Sequence, residues 1–205
     1  MAARDSGHFD REIVPVTTPD GTEVTRDDGP RPGTTMEKLA ELKPAFNPDG
    51  GTVTAGNSCP LNDGAAAVLV MSEEKARAKG LKPKARIIAS SVAAIRPELM
   101  GLGPIPAVKA VLERAGMSID DIDALELNEA FAAQVVPCRE EWGIDAEKLN
   151  PFGGAIALGH PFGMTGARIM TTLLNELETL DGTIGLETMC VAGGMGQEMI
   201  VERLN

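Results

Sequence analysis

His160, Cys190 and Asn128 are the side chains whose types and settings in this 205-residue sequence could do acid/base or nucleophilic chemistry. His160, one of two histidines, stands in "NPFGGAIALGHPFGMTGARIM" (150–170), between a Gly-Gly turn and a Gly-Met-Thr-Gly turn. Pro161 pushes it toward extended geometry, which puts the imidazole on a sharp turn at a helix entrance. An imidazole titrating near neutrality can deprotonate a thiol or donate a hydrogen bond to a developing oxyanion. A structural histidine that satisfies the turn would look the same.

Cys190 ends an apolar stretch just before "VAGGMG". A thiol beside freely oriented backbone N–H groups can act as nucleophile or acid/base, with the amides holding an oxyanion. It can equally be a small buried hydrophobe. Asn128, in "LELNEAFAAQ", ends a strand pattern and opens a helical one. That is an ordinary N-cap setting, and also one in which a side-chain amide could hold a catalytic water. Glu129 reads as a capping residue or an anchor for its neighbour. All three candidates fall at strand ends of an alternating pattern, where α/β sheets gather their sites.

The elements that must position them follow from periodicity. In residues 1–60, prolines, charges and turn pairs such as "DDGPRPG" predict short strands and loops. One modest helix, 36–42, is expected there, capped by Thr34 or Thr35. The region does not read as able to fold alone. The run "AAAVLVMS" predicts a buried strand, followed by a helix capped by Ser72 and stopped at Gly80. "ARIIASSVAA" predicts a strand. In "IPAVKAVLERAG", Val108, Val111, Leu112 and Ala115 form one apolar stripe ending at Gly116. The helix after Asn128 should be kinked or interrupted by Pro137. Ile169, Met170, Leu173, Leu174, Leu177 and Leu180 should line one side of a long helix, before a closing hairpin around "AGGMG". Strands alternating with helices, then a hairpin, give an α/β fold with a mixed sheet.

Composition narrows the function classes. With 43% hydrophobic residues, the chain can bury a core of one domain, or of one domain and part of another, built from aliphatic side chains because aromatics are only 3%. A net charge of −11 argues against nucleic acid or an anionic membrane as partner. No signal peptide and no apolar run near the length of a membrane span is found, so a cytoplasmic setting is expected. Three cysteines without zinc-type spacing read as free thiols, and no metal site is suggested.

"NEAFAAQ", "GGAIALGHPFGMTGAR" and "CVAGGMG", in that order, resemble the three C-terminal signatures of the thiolases, the acetyl-CoA acetyltransferase and 3-ketoacyl-CoA thiolase family. "TVTAGNSCPLNDGAAAVLVMS" and "MGLGPIPA" extend the resemblance over essentially the whole chain. It implies a thiolase-like fold: a mixed sheet packed between helices, with a partial loop domain at the N-terminus. Residues 1–60 would be the tail of the CoA-binding loop domain, 61–83 the last strand and helix of the N-terminal domain, and 84–205 the C-terminal domain. The implied chemistry is Claisen condensation of two acyl-CoA molecules or thiolysis of a 3-oxoacyl-CoA, with coenzyme A as substrate and no bound cofactor.

In the family, a cysteine in the N-terminal half is acylated, and the GHP histidine activates it. The asparagine holds a water that joins this histidine in an oxyanion hole, and the C-terminal cysteine is the acid/base. Carried over, these are His160, Asn128 and Cys190. The backbone N–H of Ala192, where glycine is usual, would serve a second oxyanion hole. Ser58, Cys59, Leu61, Met100 and Phe131 fall at positions that line the pantetheine channel, or alternatively pack a core. The motif of the nucleophilic cysteine is not found, and neither Cys59 nor Cys138 stands in one.

The expectation is therefore a C-terminal thiolase part, inactive alone and active with an N-terminal half or second polypeptide, and homo-oligomeric in its full-length form. The competing readings are a non-catalytic assembly partner of thiolase fold and a stand-alone hydrolase using a Cys190–His160 dyad.

Overall fold

A computed structural model describes residues 1–204. The first sixty residues carry little regular structure: α1 (Ala2–Asp5), a 3-10 turn (His8–Arg11), a two-residue pair of antiparallel strands, β1 (Val16–Thr17) and β2 (Glu23–Val24), and α2 (Met36–Ala40). Thr35 caps α2 by accepting from the Lys38 N–H at 3.3 Å. This region is held by what it touches. His8 stacks on Phe152 with ring centroids 3.7 Å apart, and the Glu12 carboxylate accepts from Thr172 and Asn175 at 2.9 and 3.0 Å.

The expected strand at "AAAVLVMS" does not form. Residues 61–70 are exposed throughout and enter no ladder, with Leu69 79% exposed. A strand exists only through a neighbour that takes its N–H and C=O groups, and no described strand pairs with this segment. The helix after it forms as expected, α3 (Glu73–Ala78), with Ser72 as N-cap.

The sheet is built from β3 (Ala85–Ala94), β4 (Ala124–Leu127), β5 (Ile184–Val191) and β6 (Met195–Arg203), in the order β3-β6-β5-β4. β3 and β5 run antiparallel to β6, and β4 runs parallel to β5. One face is covered by α4 (Pro104–Ala115), which contributes Val108 and Val111, and by α5 (Ala132–Trp142), which contributes Cys138. Gly116 ends α4 in the left-handed conformation.

Pro137 does not interrupt α5, which continues unbroken to Trp142. It lies in the second turn, so its missing N–H removes one bond, that to Ala133, while the turns on either side are kept.

The one-turn α6 (Ala155–Leu158) and then α7 (Thr165–Thr179) complete the chain order, α7 covering the other face of the sheet through Ile169, Met170, Leu173 and Leu177. Leu180 falls outside this stripe: it is the exposed C-cap. The opposite side of α7 is not solvated, for Thr172, Asn175 and Glu176 are buried as well. α7 is thus packed on two sides, with Glu178 and Thr179 left exposed near its end.

Candidate active site

His160 follows Gly159, whose φ of +98° favours glycine and whose missing side chain leaves room for the amide of Asn62. The imidazole Nδ1 lies 2.6 Å from Thr165 Oγ1, in the first turn of α7, and that hydroxyl also faces the Pro161 carbonyl at 3.4 Å. With the hydroxyl directed to Pro161, Nδ1–H donates to Thr165 and Nε2 keeps its lone pair. Burial, and then the charge of Arg168, lower the histidine's pKa, so at neutral pH it is an uncharged base.

Asn128 is not a helix cap. α5 begins at Ala132 with Phe131 at the cap position, so Asn128 continues the strand and its N–H donates to Thr188 on β5 at 3.0 Å. Its side chain is fully buried, and among the described residues neither amide atom has a hydrogen-bond partner. A buried amide left open on both atoms is suited to holding a water or a ligand.

The turn after Asn128 is clamped by a residue the periodicity did not flag. Asn150, at a φ of +47°, accepts from the Leu127 N–H at 2.8 Å and donates to the Leu127 carbonyl at 3.0 Å and to Glu129 at 2.8 Å. Glu129 in turn accepts from the Ile156 N–H at 3.2 Å. It is thus an anchor tying this turn to the loop that carries His160. The sequence signal available for Asn150 was its place before "PFGG", a polar turn residue able to adopt left-handed geometry.

Cys190 is buried near the end of β5, opposite Gly196 of β6. Burial pushes its thiol up, so it is protonated at neutral pH. The turn that follows has Gly193 and Gly194 at positive φ, whereas Ala192 is not among the positive-φ residues, so alanine stands there without strain. His160 hydrogen-bonds Thr165 rather than Cys190, and the hydrolase dyad has no contact to support it. Cys138 is a core residue, its thiol pushed up to about 12 by burial.

Ser58, Cys59 and Phe131 are brought together. Ser58 and Phe131 form an antiparallel bridge, and the Cys59 N–H donates to the Ala130 carbonyl at 3.0 Å. Phe46, which the sequence did not single out, meets Phe131 edge-on with centroids 6.0 Å apart. Met100 is half-buried in the turn Pro97–Leu102, which packs on α5 and β5. Leu61 joins neither group, being 83% exposed. Among the described residues, no cluster of His, Cys, Asp and Glu is placed to hold a metal, and no helix is long and apolar enough to cross a membrane.

The thiolase C-terminal domain family matches residues 81–203, and the thiolase N-terminal domain family matches residues 1–74. The chain belongs to the thiolase family. It is 51% identical to a 3-ketoacyl-CoA thiolase of Cronobacter sakazakii, an alignment that takes in 99% of this chain and 54% of that protein. A 3-ketoacyl-CoA thiolase of Escherichia fergusonii is 52% identical with the same coverage. The crystal structure of the Bacillus anthracis acetyl-CoA acetyltransferase superposes with a TM-score of 0.95 at 48% identity, covering 99% of this chain and 52% of that one. Human mitochondrial 3-ketoacyl-CoA thiolase superposes with a TM-score of 0.92 at 38% identity, again over 52% of its length. The thiolase chain described here thus spans about half the length of these relatives.

Proposed function

We propose that this chain is the C-terminal part of a thiolase acyltransferase acting on acyl-CoA thioesters, with the nucleophilic cysteine contributed by polypeptide outside these 205 residues. On this reading, residues 1–60 close the CoA-binding loop domain, 61–83 end the N-terminal domain and 84–205 form the C-terminal domain. The observation that carries it is the Asn128 amide, buried and open on both atoms, at the end of the strand beside the one that carries Cys190.

In thiolysis, His160 Nε2 takes the proton of the nucleophilic thiol, whose sulfur then attacks the 3-oxo carbon of the substrate. A water on Asn128 joins His160 in one oxyanion hole. The bond between C2 and C3 breaks, its electron pair passes to the acetyl-CoA enolate, and Cys190, protonated at neutral pH, delivers a proton to C2. The Cys190 thiolate then takes the thiol proton of coenzyme A, whose sulfur attacks the acyl-cysteine; the cysteine leaves with the proton held on His160, and a shortened acyl-CoA is released. Condensation is the reverse. The backbone N–H of Ala192 serves a second oxyanion hole, and Ser58, Cys59, Met100 and Phe131 flank the pantetheine arm, with Leu61 joining them only once its surface is covered. Each positioned acid/base group is asked for roughly 10²- to 10⁴-fold. The expected setting is cytoplasmic, with a role in fatty-acid β-oxidation and a homo-oligomer in the complete enzyme.

The second reading, an assembly module without activity of its own, is favoured by one observation. Val68 and Val70, on the unpaired 61–70 segment, face Met170, Leu174 and Met199 across an open apolar cavity of about 570 Å³. An apolar surface of that kind is a docking face. Thiolysis assays of the purified chain with and without the N-terminal half of a close thiolase separate the two. The acyltransferase reading expects turnover only in the pair, lost on His160→Ala. A complex that forms and stays inactive supports the assembly module.

A further inference from the structure

His160 is bracketed by two close approaches from one stretch of the chain. On one side Gly159 has no side chain, and the amide of Asn62 fills the space where a Cβ would stand. On the other side it is Gly64 that has none. A Cβ there would lie 2.7 Å from Pro161 Cγ and 2.8 Å from Met164 Cε. The backbone carrying the imidazole is therefore gripped at the residue before it and at the residue after it. The stretch that grips it, 61–70, is exposed and, among the described residues, enters no backbone–backbone hydrogen bond. Around these contacts, residues 62–66 and 161–164 line an open pocket of about 420 Å³, so the grip is made at points rather than by enclosure.

We propose that Asn62 and Gly64 are positioning residues for His160: Asn62 against Gly159 and Gly64 against Pro161 fix the backbone that carries the imidazole, while Thr165 fixes the ring. The two supports depend on each other. The bond between Nδ1 and Thr165, at 2.6 Å, is kept only while the backbone of 159–161 holds the ring within reach, because a hydrogen bond weakens steeply as its geometry departs from ideal. Gly64 is required for space alone. Its φ is not in the left-handed region, so alanine there is free of backbone strain and acts only by contact. Met164 ends in a flexible thioether that can swing aside. Pro161 is a ring closed on its own backbone and passes the push to His160. Gly159 is held to glycine by its φ of +98° as well as by Asn62, so a substitution there would not separate the two causes. The importance of this grip for turnover rests on His160 being the base of the thiolase reading.

Nitrogen-15 spectra of the two imidazoles in the 205-residue chain, taken at about pH 8 where both rings are neutral, test the geometry without turnover. A ring fixed with its proton on Nδ1 gives two widely separated nitrogen signals, and a ring released from Thr165 mixes tautomers, so that the two draw together. Gly64→Ala and Asn62→Ala should each draw the His160 signals together and leave those of His8, stacked on Phe152, in place. In the enzyme complemented with an N-terminal half, the same variants should lower kcat by roughly 10- to 100-fold with KM near wild type, the mark of a displaced base rather than of lost binding. His160 signals that stay as far apart as in wild type in both variants overturn the proposal, and so does an unchanged kcat in both. If the signals draw together but the wild-type pair does not turn over, the acyltransferase reading fails and the positioning stands.

Discussion

His160 Nδ1 and Thr165 Oγ1 are 2.6 Å apart, so the ring that would act as base is aimed by the first turn of α7. Thr165→Val keeps the shape of the side chain and removes this partner. A misplaced catalytic group costs about 10² in rate. We expect kcat for thiolysis by the complemented enzyme to fall by about that factor, with KM little changed, in steady-state assays.

Asn150→Ala removes three buried hydrogen bonds at once, those to both backbone groups of Leu127 and to Glu129. Unpaired buried groups cost about 1–3 kcal/mol each, only partly additive. The expected loss is about 2–4 kcal/mol, measured by the urea midpoint at constant slope.

Pro137→Ala restores an N–H to an α5 that is already helical through this position. A proline within a helix costs up to about 3 kcal/mol relative to alanine. The substitution should therefore stabilise the chain by about 1–3 kcal/mol, and calorimetry that finds a loss instead would contradict the unbroken helix.

The buried carboxyls give the chain a definite pH dependence. Burial raises Glu176 to about 7 and Glu187 and Glu198 to about 8, above their values in the unfolded chain. The folded state therefore holds more protons, and this contribution, complete below about pH 4.5, is lost as pH rises through 7 and 8. Urea midpoints should be lower at pH 8.5 than at pH 6.

The thiols should alkylate in order of access. Cys59 is half-buried, Cys190 is 8% exposed and Cys138 is fully enclosed. Peptide mapping after brief treatment of the folded chain should find Cys59 modified first and Cys138 last; early loss of Cys138 would mean that the packing of α4 and α5 is looser than described.

The sequence by itself determined what depends on near neighbours along the chain. The periodicity of α4, the strand at 85–94, the Ser72 and Thr35 caps and the closing hairpin are local, since a cap or an apolar stripe acts within a few residues. The ordered motifs around Asn128, His160 and Cys190 carried the family for the same reason. Tertiary structure decided what depends on a partner far away in sequence. "AAAVLVMS" has the composition of a strand but no described neighbour to pair with, and Leu180 ends its helix beyond the sheet. Thr172 and Asn175, off the aliphatic stripe of α7, are buried because the N-terminal segment lies over them through Glu12. Asn128 reads as a cap until its N–H is seen bonded to Thr188, and the bond from Arg168 to Glu126 joins residues that share no motif. Hydrogen bonds and desolvation act over a few ångströms of space, and only the folded chain determines which residues fall within that range.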